Sequence, residues 1–388
     1  MHIASRIKTL GTESAFEVLV KARALEAQGK QIIHLEVGEP DFETPARIRN
    51  AAKMALDAGY THYGPAAGLP HVRKAIAEYM SRTRGIPFGQ NQVVVTPGGK
   101  PIMFFAILAC VERSDEVIYP NPGFPIYESV INFVGAKAVP LQLKEENEFR
   151  LDVEDLKGLI TPKTRMLILN SPHNPTGGIL TGDDLRRIAE LAVKHDLIVL
   201  SDEIYSRILY DGFEHVSIVK FPGMQERTII LDGFSKAYAM TGWRLGFGVM
   251  PEELVPVIAQ LQINSNSCTA SFSQMAGIEA LAGPQDDVSK MVAEFKRRRE
   301  AIVDGLNAIP GFRCLKPLGA FYVFPNIVGT GKQSRVLADH LLHEAGVACL
   351  SGTAFGSFGE GYLRFSYANS LENIEKALQK VRAAVRKL

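Results

Sequence analysis

Short β-branched runs alternate with longer helical stretches along this chain, and several of the runs stop on a polar or charged residue. That alternation is the mark of a mostly parallel sheet covered by helices. It predicts strands over Val93–Thr96, Glu116–Tyr119, Arg165–Asn170, Leu197–Ser201, Thr228–Leu231 and Leu245–Met250. Ligands in open α/β sheets bind beyond the carboxyl ends of the strands, so Gly98, Asn174, Asp202 and Lys236 are expected to converge there. At 388 residues the chain is long enough for one large α/β domain and a smaller one. The C-terminal part is expected to begin near Gly283-Pro284 and to open with a helix through KRRRE (Lys296–Glu300), whose basic run reads as a solvated face. A strand at GAFYVFP (Gly319–Pro325) and a closing helix from Leu371 follow.

The densest chemistry lies in TIILDGFSKAYAMTGWR, Thr228–Arg244, where an apolar run leads to a lysine and an arginine follows eight residues later. A lysine amine condenses with an aldehyde to give a Schiff base, and an arginine fork suits a phosphate. Upstream, LIVLSDEIY (Leu197–Tyr205) ends on an acid, and NSPHNPTGG (Asn170–Gly178) forms a polar, Pro-rich turn. In chain order, Asn174, Asp202, Tyr205, Lys236 and Arg244 resemble the active-site set of class I pyridoxal-phosphate aminotransferases of fold type I. The resemblance runs from GEPDF at Gly38 to YLRFSYA at Tyr362, essentially the whole chain. It implies a large α/β/α domain with a mostly parallel sheet at 46–283, a small α/β domain at 284–388, and residues 1–45 as an N-terminal arm that is partly packed with the small domain.

The same resemblance assigns roles. In VVVTPGGKPIMFF, Gly98 and Gly99 precede a helical run with Pro101 in its first turn, so free N–H groups and the positive helix end can face the cofactor phosphate. Arg244 and Ser235 join them. Gly233 stands where many relatives carry a further hydroxyl, which implies one donor fewer. Tyr63 resembles a tyrosine lent to the phosphate of a neighbouring subunit, implying a homodimer. At the ring, Asp202 would hold the pyridine nitrogen protonated, Tyr205 and Asn174 would bond the phenolic oxygen, and Phe124 would stack. Arg364, on one strand face with Tyr362 and Ser366, would clamp the substrate carboxylate, with Gly38 closing over it. Lys236, Asp202 and Tyr205 form the catalytic set.

The reaction so implied is a ping-pong transfer of an amino group between an L-amino acid and a 2-oxo acid, with 2-oxoglutarate as one partner. A fold-type-I C–S β-lyase or synthase is the alternative. Lys100, directly after the GG turn, stands where bacterial aspartate aminotransferases carry a lysine that reaches a distal carboxylate. No basic residue occurs over Gln262–Ser273, where other dicarboxylate enzymes supply an arginine, so aspartate, aromatic and broad donor ranges all stay open.

Composition narrows the rest. A net charge of +1 gives no general attraction to nucleic acid or acidic membranes. Cys110, Cys268, Cys314 and Cys349 lie far apart without CxxC spacing, which argues against a metal site or disulfide scaffold and fits a reducing cytoplasm. The first residues lack the pattern of a secretory signal, and the longest apolar run, Ile102–Val111, is far shorter than the ~20 residues of a membrane helix. The motifs begin too near Met1 to leave room for a DNA-binding module, and no GxGxxG follows the first strand.

Overall fold

All six runs predicted as strands stand side by side in one sheet of the computed structural model, which describes residues 2–388. In chain order the strands are β1 (Ile33–His34), β2 (Val93–Thr96), β3 (Glu116–Asn121), β4 (Lys137–Gln142), β5 (Thr164–Asn170), β6 (Ile198–Asp202), β7 (Thr228–Gly233) and β8 (Gly246–Val249). They are followed by β9 (Tyr322–Val323), β10 (Val347–Ala348), β11 (Leu350–Ser351) and β12 (Leu363–Ser366). The large sheet has the order β2-β8-β7-β6-β5-β3-β4. Only β8 runs against its neighbours; the remaining contacts, from β7 to β4, are parallel. Every residue of β2, β3, β7 and β8 is buried, as helices on both faces require.

The seventh strand, β4, is absent from the sequence prediction. Its KAVPLQ sequence carries Pro140, which cannot donate to a ladder and which argues against a central strand. The sheet resolves this by placing β4 at its edge, where one side of the strand needs no partner. The predicted strand at Gly319–Pro325 shrinks to the two residues of β9, which joins β12 and β11 in a small antiparallel sheet.

The N-terminal segment is stitched to the C-terminal part. Ile33 and His34 pair in parallel with Val347 and Ala348, and Leu35 enters the apolar cluster that holds Phe295, Phe321 and Ile374. The closing helix, Leu371–Val385, starts where predicted, with the Ser370 side chain accepting from the Asn373 N–H.

The KRRRE run requires a correction. It lies within the helix Asp286–Asn307, and helical spacing turns Arg298 and Arg299 inward beside Phe295 and Ile302 while Lys296 and Arg297 face out. Arg299 is fully buried, forks onto Asp211 at 2.8 and 3.0 Å, donates to the Pro317 carbonyl, and lies 4.5 Å over the Tyr210 ring. Arg298 bonds Asp41 at 2.6 Å. Two of the four basic residues of this run are internal fastenings, not part of a solvated face.

Candidate active site

Strand register brings the chemistry to one level. Asn170 pairs with Asp202, and Asp202 with Leu231, so β5, β6 and β7 end together, with Ser235 and Lys236 just past the third. A cavity of about 520 Å³ opens over these ends. It is lined by Gly38, Gly99, Lys100, Phe124, Asn174, Asp202, Tyr205, Ser235, Lys236, Arg244 and Arg364, which are all sequence candidates. Two candidates stand outside the lining. Gly98 supports it from beneath: its φ is +85°, and a side chain there would run into the Arg244 guanidinium. Tyr63 is 91% exposed and takes no part in the cavity of its own chain.

At one end of the cavity, Gly99 leads into the helix Lys100–Cys110 with Pro101 in the first turn, leaving backbone donors free. Arg244 lies against this turn, donating to the Thr241 and Pro97 carbonyls at 2.9 and 3.3 Å. A helix N-terminus, an arginine and the nearby Ser235 hydroxyl make a site for a phosphate.

At the other end Asp202 is buried, and burial pushes its carboxyl up to about 6. Its partners are neutral donors, the Tyr127 hydroxyl at 2.6 Å and the Ile204 N–H at 3.2 Å. The buried cation nearby is already engaged: Arg84 bonds Glu203 at 2.8 Å and Asp232 at 2.7 Å. Asp202 is thus a buried acid without a positive partner, the environment that a protonated ring nitrogen completes.

Between these ends, burial, with Arg364 adding to it, brings the Lys236 amine down to about 8. The amine donates to the Gly38 carbonyl at 2.5 Å and lies 5.9 Å from the Tyr205 ring centre. The Tyr205 hydroxyl bonds that of Tyr322 at 2.7 Å, and Phe124 meets Tyr127 edge-on at 5.6 Å. Gly38 has to be glycine, since a side chain there would overlap the Tyr322 hydroxyl.

Arg364 is buried between Tyr322 and Phe355, 4.4 and 4.7 Å from their ring centres. It donates to the Asn174 side-chain oxygen at 3.0 Å and to the Glu36 carbonyl. Its Nε has no partner among the described residues, and burial lowers its pKa. A desolvated guanidinium with an unused donor, in the wall of a cavity that also holds an amine, can receive a carboxylate.

Tyr127 and Tyr322 are missing from the sequence candidates. Tyr127 lies three residues after the candidate Phe124 and Tyr322 lies in GAFYVFP, which reads only as a strand, and nothing in one dimension separates a site tyrosine from a core one.

Comparison with known proteins decides the family. The family model for aminotransferase class I and II matches residues 30–381. The chain belongs to that family. It is 43% identical to an aspartate aminotransferase of Pyrococcus abyssi, with 92% of each chain covered. It is 40% identical to aromatic-amino-acid aminotransferase 2 of Thermococcus litoralis, over 98% of this chain and 97% of the relative. The solved structure of the Thermus thermophilus aspartate aminotransferase with maleate superposes with a TM-score of 0.95 at 36% identity, covering 99% of this chain and 100% of that one.

The protein is therefore a pyridoxal 5′-phosphate-dependent aminotransferase of fold type I, and transamination is favoured over the C–S lyase alternative. Its residues fit the cofactor by their donor set: an amine held down to about 8 for an aldehyde, a helix end with Arg244 for a phosphate, and an unpaired buried acid for a ring nitrogen. Once bound, the cofactor supplies a carbonyl that takes up the amino group and a ring that accepts electron density. Among the described residues no helix is long and apolar enough to cross a membrane.

Proposed function

We propose that the aminotransferase exchanges amino groups between an acidic or aromatic L-amino acid and 2-oxo acids, with 2-oxoglutarate as one acceptor. Arg364 carries this reading: a buried guanidinium with a free Nε, 3.0 Å from the Asn174 oxygen, in the same cavity as Lys236. In it, Arg364 binds the α-carboxylate bidentately, and Gly38 borders the cavity beside it. Lys236, freed as an amine, would take the proton from the substrate's Cα and deliver it to the carbon that the cofactor's carbonyl supplies, within the same half-reaction. Asp202 holds a proton at the ring nitrogen, with Tyr127 orienting the carboxylate. Tyr205 and Asn174 bond the ring's oxygen, Phe124 covers the ring face, and Gly98, Gly99, Ser235 and Arg244 hold the phosphate. Amino donor and 2-oxo acceptor use one site in turn, so the kinetics are ping-pong. The relatives named for aspartate and for aromatic amino acids support this donor range, as does maleate in the Thermus structure. Arg364→Lys keeps the charge and loses the fork, and is expected to raise KM about tenfold for every amino donor tried against 2-oxoglutarate and pyruvate, with kcat changing less. A KM that moved for one donor alone would place the α-carboxylate elsewhere.

The working unit in this proposal is a homodimer in which Tyr63 reaches the phosphate site of the second copy. Its exposure and its absence from the cavity lining of its own chain support that assignment. Sedimentation should give twice the chain mass of 42.5 kDa. Full activity in a protein that stays monomeric at micromolar concentration would rule the shared site out. Pairing of β1 with β10 supports a division into an arm at 1–45, a large domain at 46–283 and a small domain at 284–388. Four unpaired cysteines support a cytoplasmic setting.

A further inference from the structure

Four basic side chains line the cavity among the described residues: Lys100, Lys236, Arg244 and Arg364. The proposed function uses the last three, for the amine chemistry, the phosphate and the α-carboxylate. Lys100 is left, and it is not free. Its amine is paired with the carboxylate of Glu13, a residue 87 positions earlier in the chain.

Glu13 immediately precedes the helix Ser14–Glu26, in extended backbone (φ −88°, ψ 112°), at the position where a shorter Ser, Thr, Asp or Asn side chain would cap the helix. Here it makes no capping bond. The carboxylate crosses to Lys100 instead and is the more shielded of the two, 17% exposed against 48%. Two aromatic rings flank the pair, with the Lys100 amine 5.6 Å from the Phe124 ring centre and 6.0 Å from that of Phe16. Glu13 and Phe16 form part of the cavity wall.

We infer that Glu13 is an internal counter-ion standing in for a substrate side-chain carboxylate, and that it sets the balance between acidic and aromatic donors. An aromatic side chain leaves the Glu13–Lys100 pair closed and packs on Phe16 and Phe124. A dicarboxylate has to displace Glu13 from Lys100, or else bring a second negative charge beside it. The donor range is then a competition between two carboxylates for one ammonium, and the enzyme's own carboxylate is tethered. This rests on the Arg364 reading above, because the distal group is sorted only if the α-carboxylate is anchored.

The test uses holoenzyme and two unreactive anions, maleate and 3-phenylpropionate, with affinities measured by calorimetry. Glu13→Gln keeps the size and removes the charge, and should raise the ratio of maleate to phenylpropionate affinity by about tenfold. The ratio of kcat/KM for aspartate over phenylalanine should rise with it. Lys100→Met should move both ratios the other way. A Glu13→Gln affinity ratio within about twofold of the parent, with both anions still released by Arg364→Ala, would overturn the role of Glu13 alone. Retention of both anions by Arg364→Ala would instead overturn the anchoring on which the inference rests.

Discussion

Lys236→Ala protein will emerge colourless in the visible region after dialysis, and its transamination rate will fall by roughly 10⁴-fold or more, since the general base and the covalent attachment are lost together. The structure gives the reason for this lysine and no other. Its amine lies in the cavity over the strand ends, where burial and the neighbouring Arg364 oppose the ammonium form and bring it down to about 8. Both influences disfavour the charge, so the neutral, nucleophilic fraction grows as pH rises through about 8. Capture of added cofactor by the stripped parent protein should accelerate over that interval and level off above it. Lys100, the other lysine of the cavity, is occupied by Glu13. Borohydride reduction of the holoenzyme followed by peptide mapping locates the attachment, and a label on any lysine but Lys236 sinks the assignment.

Asp202→Asn should retain cofactor yet lower the single-turnover rate by more than ~100-fold. An amide of the same shape can still accept from the Tyr127 hydroxyl, which donates to Asp202 at 2.6 Å, so the local packing survives. What it cannot do is hold a proton on a ring nitrogen. The nearby carboxylates of Glu203 and Asp232 give no substitute charge, because Arg84 already neutralises them. A rate within about threefold of the parent would show that the ring works without its proton, and the role would be lost.

Why were these residues legible in the sequence while others were not? The central strands are buried on both faces, so their apolar runs are continuous, and what terminates them is conspicuous: Asp202, and Lys236 just beyond β7. Gly98 and Gly99 are visible for a related reason, since Arg244 packed against the first and Leu231 against the second leave little space for a side chain. The edge strand β4 escapes because half-burial and Pro140 dilute its pattern. The buried Arg298 and Arg299 escape because charge is read first as solvation, while helical geometry turns two of every four such residues inward. Tyr127, Tyr322 and Glu13 belong to the site through contacts across long stretches of chain, 75 residues from Tyr127 to Asp202 and 117 from Tyr205 to Tyr322, which no local pattern encodes. The chemistry of each residue is local; its partner is not.

The pairing of β1 with β10 has a consequence for the order in which the chain matures. During synthesis, Ile33, His34 and Leu35 leave the ribosome early and then wait for roughly 300 further residues before their partners exist. Until then Leu35 is an apolar side chain without a core, and Glu36 cannot offer its carbonyl to Arg364. The large sheet, whose strands all lie between Val93 and Val249, can assemble in the meantime. The proposed substrate anchor, built from residues 36, 174 and 364, is therefore among the last things to form, well after the strands of the large sheet can pair.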